Sequence, residues 1–138
     1  MRLEITRKSD LAVRALRALA DGPGRLKGPA LAEAVGSTSG FVSQVVNPLV
    51  RQGWVRSDPG PGGGYRLVVD LGSVSVLAVI EAVEGPTDAG RCVLADRPCN
   101  DSGPCALHVA WSRAQAHLMR ELDATSVAEA ALTSEAVW

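Results

Sequence analysis

The segment from Pro29 to Val69 constrains the fold of this chain more than any other. Pro29 to Val35 reads as a short helix, with proline at a first helical position and Gly36 just past the end. Gly36-Ser37-Thr38 makes a tight turn, and Ser39 to Gln52 follows as a longer helix closed by Gly53. Trp54-Val55-Arg56 then reads as a strand, DPGPGGG at 58–64 as a tight loop, and Tyr65 to Val69 as the returning strand. Short helix, tight turn, longer helix and hairpin is the order of a helix-turn-helix followed by a wing.

Val35, Phe41, Val42, Val45, Val46, Leu49 and Val50 supply the apolar face of this unit. Ser37, Ser39, Ser43, Gln44 and Asn47 are left to face a groove, and Ser39, Ser43 and Gln44 are the candidates for base edges. Pro48 removes a helical hydrogen bond at a cost of about 3 kcal/mol unless the helix bends, so a kink or an irregular turn is expected near Asn47. Arg56, Arg66 and the amides of Gly62 and Gly63 are candidates for phosphates, with Arg7 and Lys8 beside them. Charge distribution points the same way. The net charge is −1, yet residues 1–66 hold ten Lys/Arg against five acids, and the remainder four against ten. A basic half fits a polyanion-binding module.

Around this unit, a first helix is expected from Lys8 to Ala20, capped by Ser9 or Thr6 and stopped by DGPG at 21–24. A further helix is expected from Val74 to Glu84, ended by Gly85-Pro86. A long apolar-faced helix spans Cys105 to Leu122 and is the natural surface for a twin subunit. Ser126-Val127-Ala128-Glu129 is a capping box for a last short helix, and little order is expected beyond Ala131. The fold class is therefore mainly α with a small β-hairpin: a winged helix-turn-helix over 1–72, then a linker helix, a loop at 88–108 and a dimerisation helix with a short tail within 73–138.

All three cysteines lie in that loop, RCVLADRPCNDSGPCALH from Arg91 to His108. Cys92, Cys99, Cys105 and His108 follow as C-x6-C-x5-C-x2-H. A long loop without secondary structure is uncommon in a small domain unless it has a task. Thiolates suit iron–sulfur clusters and zinc alike. Structural zinc prefers paired ligands two to four apart, whereas clusters accept irregular spacing with histidine replacing one cysteine. Free thiols used as a redox sensor need no metal. The odd cysteine number argues against a disulfide framework, and the N-terminus carries no apolar leader. With no apolar run of membrane-span length, a cytoplasmic location and no membrane partner are expected.

The start MRLEITRKSDLAVRAL, the wing GPGGGYRL and the RC…C…CALH loop together resemble the IscR/NsrR family of bacterial winged-helix repressors, over nearly the whole chain. The resemblance implies a homodimer on a palindromic DNA operator, with DNA affinity controlled by a [2Fe–2S] or [4Fe–4S] cluster sensing redox state, nitric oxide or iron–sulfur supply. It implies Cys92, Cys99 and Cys105 as cluster ligands. His108 matches the fourth ligand of the IscR-type cluster, and Asp10 matches the aspartate that NsrR-type members bring from the other subunit. The chain departs from the family at C-x6-C, where C-x5-C is usual, at Pro59, where IscR-like members place arginine, and at Pro48.

Other classes are weaker. An enzyme would need converging catalytic groups, and there is no C-x-x-C, phosphate loop or carboxylate dyad, so no small-molecule substrate is expected. A winged-helix regulator sensing through zinc or bare thiols is the alternative, followed by a winged-helix module that binds protein.

Overall fold

The structure, a computed structural model, describes residues 1, 3–95, 97–99 and 103–132. The tail beyond Leu132, where little order was expected, lies outside the described residues. The element order is α1 (Arg7–Asp21), α2 (Gly28–Val35), α3 (Ser39–Arg51), β1 (Val55–Asp58), β2 (Gly64–Leu67), a 3-10 turn (Leu71–Ser73), α4 (Val76–Glu84), α5 (His108–Ala124) and α6 (Val127–Leu132). None of these helices is long and apolar enough to cross a membrane.

Local chemistry accounts for the boundaries. Thr6, not Ser9, caps α1, accepting from the Ser9 amide at 3.2 Å, while Ser9 itself is fully buried. Gly36 ends α2 in the left-handed region at φ 66°. Arg14 adds to that cap from α1, donating from Nη2 to the Val35 carbonyl at 2.8 Å. Thr38 caps α3 through the Phe41 amide, and Ser75 caps α4 through the Ala78 amide at 3.0 Å. At α6 the capping box is reciprocal: Glu129 Oε2 accepts from the Ser126 amide at 2.8 Å and Ser126 Oγ accepts from the Glu129 amide at 3.1 Å. Those bonds hold the Glu129 carboxyl below its ordinary range.

Of the kink or irregular turn expected near Asn47, the irregular turn does not form. The α3 helix runs continuously from Ser39 to Arg51 with Pro48 inside it. Pro48 lies in the final turn and its ring is buried beside Val45, Val46 and Leu49, so packing offsets much of the lost hydrogen bond.

Leu11, Leu16, Leu31, Val35, Val42, Val46 and Leu49 build the core between α1, α2 and α3. Val79 and Val83 from α4 join it, as does Val127 from α6, which is fully buried. The C-terminal helices are thus anchored to the helix-turn-helix. Val127 donates to the Val74 carbonyl at 2.8 Å, and Val76 to Thr125 at 2.9 Å.

The wing is a two-stranded antiparallel hairpin with Val55 opposite Leu67, Arg56 opposite Arg66, and Asp58 opposite Gly64. It is tied to the turn between α1 and α2 by a one-pair bridge, Leu26 to Tyr65. Gly64 makes that approach possible. It sits at φ +136°, and a Cβ there would stand 2.7 Å from the Leu26 carbonyl oxygen.

The long helix starts at His108, later than Cys105. Gly103 and Pro104 keep the chain out of helix, and a turn closes with the His108 amide donating to the Cys105 carbonyl at 3.1 Å. No residue of α5 is buried, and Leu107, Val109 and Leu118 are exposed on or beside it.

Candidate metal centre and nucleic-acid interface

The loop from 85 to 107 folds back on itself. Arg91 and Pro98 form an antiparallel bridge, and the Cys92 amide donates to the Arg97 carbonyl at 2.9 Å. Cys92 follows one partner of that bridge and Cys99 the other, so the closure brings both into one neighbourhood. Cys105 arrives from the turn before α5. The three Sγ atoms lie within 4.8 Å of one another and are half-buried.

Their electrostatics are uneven. Cys92 is lowered to about 7, first by the Leu94 amide pointing at its sulfur, 3.4 Å away, and then by the neighbouring thiols and the Ala95 amide, against some desolvation. Cys99 has help from the Cys105 backbone, but desolvation and the adjacent Cys92 and Cys105 outweigh it and leave the thiol above its ordinary value. Cys92 is thus more readily ionised than Cys99, and the thiolate is the form in which sulfur binds metal.

Cys99, Cys105 and His108 line one open cleft of about 290 Å³, together with Asp88, Arg91 and Trp111. His108 is half-buried at the first position of α5. Its ring nitrogens do not belong to the group of ligand atoms within 4.8 Å of one another. Asp10 lies on α1, half-buried, with Oδ2 facing Arg14 Nη1 at 3.7 Å. Its Oδ1 is buried and has no hydrogen-bond partner among the described residues. A soft three-thiol set beside open volume fits a thiolate-bound metal group.

On the helix-turn-helix, Ser39 is exposed in the first turn of α3, and Gln44 is exposed on the face away from its buried residues. Ser43 is half-buried, and its hydroxyl donates back to the Ser39 carbonyl at 3.0 Å, which leaves its lone pairs for an incoming donor. On the wing, Arg56 and Arg66 are cross-strand partners and share one face. Arg56 Nε is held by Asp58 at 3.2 Å, while Arg66 Nε is buried without a partner. Gly62 is exposed at the tip and Gly63 is buried, where a Cβ would collide with the Asp58 carbonyl at 2.1 Å. Arg7 is exposed and Lys8 half-buried in the first turn of α1.

Sequence reasoning missed Arg25. It stands in the turn between α1 and α2 and reaches the wing, donating to the Gly62 carbonyl at 2.7 Å and to Asp58 Oδ2 at 3.0 Å. Nothing local in the sequence signals a contact between residues so far apart along the chain. Asp88 and Trp111 in the cysteine cleft were missed for the same reason.

His117, nine positions beyond His108, is exposed and sits 3.4 Å from Arg120, away from the cleft lining.

The chain is similar to known proteins along nearly its whole length. The Yersinia pestis regulator named HTH-type transcriptional regulator IscR is 32% identical over 131 residues, spanning 92% of this chain and 78% of that one. The oxidised form of Staphylococcus aureus CymR superposes with a TM-score of 0.70 at 26% identity, covering 94% of this chain and 96% of the other. T. potens IscR shares the fold with a TM-score of 0.69 at 24% identity, over 96% and 89% of the two chains. The Yersinia relative is by name a transcriptional regulator, not an enzyme. The profile of the family described as "Rrf2: Iron-dependent Transcriptional regulator" matches residues 5–132. The chain belongs to the Rrf2 family of transcriptional regulators.

Proposed function

We propose that this regulator binds a palindromic DNA operator as a homodimer, in the cytoplasm, and that an iron–sulfur cluster in the 88–108 loop controls its affinity. The observation that carries the reading is the convergence of Cys92, Cys99 and Cys105, with Sγ atoms within 4.8 Å, at the foot of a helix that buries none of its residues.

In this reading residues 1–72 read DNA. Ser39, Ser43 and Gln44 meet base edges, and Arg56, Arg66, Arg7, Lys8 and the Gly62 amide hold phosphates, while the buried Gly63 amide donates to the Gly60 carbonyl at 2.9 Å and shapes the tip instead. Residues 73–138 sense and pair. Leu107, Val109 and Leu118 at α5 are exposed, as are Leu3 and Ile5 in the N-terminal arm, and an apolar surface of this extent suits a second copy of the chain.

The three cysteines supply thiolates, with Cys92 more readily ionised than Cys99. His108 is the fourth ligand from the same chain, supported by its place in the cleft with Cys99 and Cys105. Asp10 of the second copy is the competing fourth ligand, supported by its buried, unpartnered Oδ1. A cluster bound there supplies redox chemistry and coordination bonds to the loop. The loop backbone then has one arrangement with its thiols engaged and another without. Because α5 begins at the end of this loop, the two arrangements place α5, and through it the two reading helices, differently. A coupling of about 1–3 kcal/mol between loop and DNA is typical for such control.

Anaerobic purification with iron and sulfide counts, followed by titration on the DNA upstream of this chain's own gene, tests the reading. Replacing His108 and Asp10 singly by alanine separates the two fourth ligands, since only the true ligand's loss alters the visible spectrum. A zinc-bound chain with no sulfide would instead support the zinc alternative.

A further inference from the structure

We propose that Arg25 is a positioning residue for DNA binding, a clamp that sets the wing tip before DNA arrives. The proposal rests on the DNA-binding reading above and names a residue outside the set assigned there.

The geometry is two-pronged. Nη1 of Arg25 donates to the Gly62 carbonyl at 2.7 Å, and Nη2 to Asp58 Oδ2 at 3.0 Å. Asp58 is the last residue of β1, and Gly62 lies in the loop before β2. One guanidinium therefore grips both limbs of the wing. The next residue secures the base: Leu26 donates to the Tyr65 carbonyl at 3.0 Å and Tyr65 to the Leu26 carbonyl at 2.7 Å. The wing is held to the helix-turn-helix by two successive residues, one through its side chain and one through its backbone.

The tip needs such a hold. It consists of glycines and prolines from Pro59 to Gly64, and glycine loses more conformational freedom on ordering than any other residue. Ordering a free tip on DNA would subtract from affinity, whereas a tip already ordered does not. Asp58 also pairs with Arg56, whose Nε lies 3.2 Å from Oδ1, so the carboxylate keeps a partner when Arg25 is lost. Loss of the tip's order is therefore what weakens binding, since both Arg25 terminal nitrogens are engaged within the protein.

The experiment compares wild type with Arg25→Gln, Arg25→Lys, Asp58→Arg and the swap Arg25→Asp/Asp58→Arg, all as the full chain. Amide hydrogen exchange of the 59–65 segment is followed in the free protein. Binding is titrated on the chain's own upstream duplex and on a random-sequence duplex across a salt series. The expected result for Arg25→Gln is faster exchange in 59–65 and roughly fivefold weaker binding, the scale of an exposed charged contact. The slope of log affinity against log salt should stay unchanged, because no phosphate contact is lost. Arg25→Lys, which keeps one donor and the charge, should recover part of both, and the swap should recover more than Asp58→Arg alone. Unchanged exchange in Arg25→Gln overturns the clamp. A slope smaller by about one overturns the positioning role, since Arg25 would then itself contact phosphate. A wild-type chain that binds neither duplex overturns the DNA reading and with it the clamp's purpose, while the exchange data still decide whether the clamp exists.

Discussion

Leu26 and Tyr65 exchange both of their backbone hydrogen bonds, at 3.0 and 2.7 Å, so the wing is continuous with the turn between the first two helices. Gly64 is the residue that admits this approach. Gly64→Ala should therefore lose the bridge. Its φ of +136° is strained for alanine, and the new Cβ would press on the Leu26 carbonyl. A destabilisation of about 1–3 kcal/mol is expected, read as a lowered Tm, together with weaker DNA binding. An unchanged melt would mean the bridge carries no strain.

Bases and phosphates should separate by salt. Gln44 is exposed on α3, and Gln44→Ala should reduce discrimination between operator and random DNA by about 1–3 kcal/mol while leaving the salt slope alone. Arg66→Ala should weaken both duplexes alike and lower the slope by about one. Titrations at several salt concentrations check both, and matching slopes for Arg66→Ala and wild type would remove Arg66 from the phosphate contacts.

The thiols should differ in reactivity in metal-free protein. Cys92 is lowered to about 7, chiefly by the Leu94 amide, whereas Cys99 is raised by desolvation and its two neighbours. The thiolate forms as pH rises, so iodoacetamide should label Cys92 before Cys99, with a rate that climbs through pH 7, and Cys99 should lag at every pH below its own higher value. Peptide mapping after short exposure decides this. Equal labelling of Cys92 and Cys99 at pH 7 would contradict the asymmetry.

The exposed apolar positions of α5 should drive pairing. Leu118 is 44% exposed in the single chain and lines a groove with Leu3, Ile5, Ile80 and Leu122. Leu118→Glu should shift the chain to monomer in sedimentation velocity and, by separating the two reading helices, weaken operator binding far more than binding by one half-site. A wild-type chain that sediments as a monomer would remove the basis of the symmetric operator.

Much of this architecture was legible in the residues. Gly36, Gly53 and the 58–64 loop punctuate the helix-turn-helix and wing because left-handed and close-approach positions select glycine. The capping box at Ser126 and Glu129 was readable as a local pattern and formed as read. Pro48 misled, because its local cost is countered by burial that only the tertiary fold reveals. Arg25 was invisible for a similar reason: its partners Asp58 and Gly62 come near only when the wing folds back on the first turn. The cysteine spacing suggested a shared site, but the device that closes it, the Arg91–Pro98 bridge, has no sequence signature. Val127 looked like part of a tail and proved to be a core residue, fully buried, because α6 folds back onto the 3-10 turn and α1.

The central claim is that Cys92, Cys99 and Cys105 hold an iron–sulfur cluster that sets DNA affinity. Its most direct test is one anaerobic preparation, split into untreated and cluster-stripped halves and titrated on the same upstream duplex, with iron, sulfide and the visible spectrum measured on each. The account predicts a coloured untreated half with matching iron and sulfide, and affinities that differ by about 5- to 150-fold between halves. A colourless, iron-free protein whose two halves bind DNA equally would contradict it.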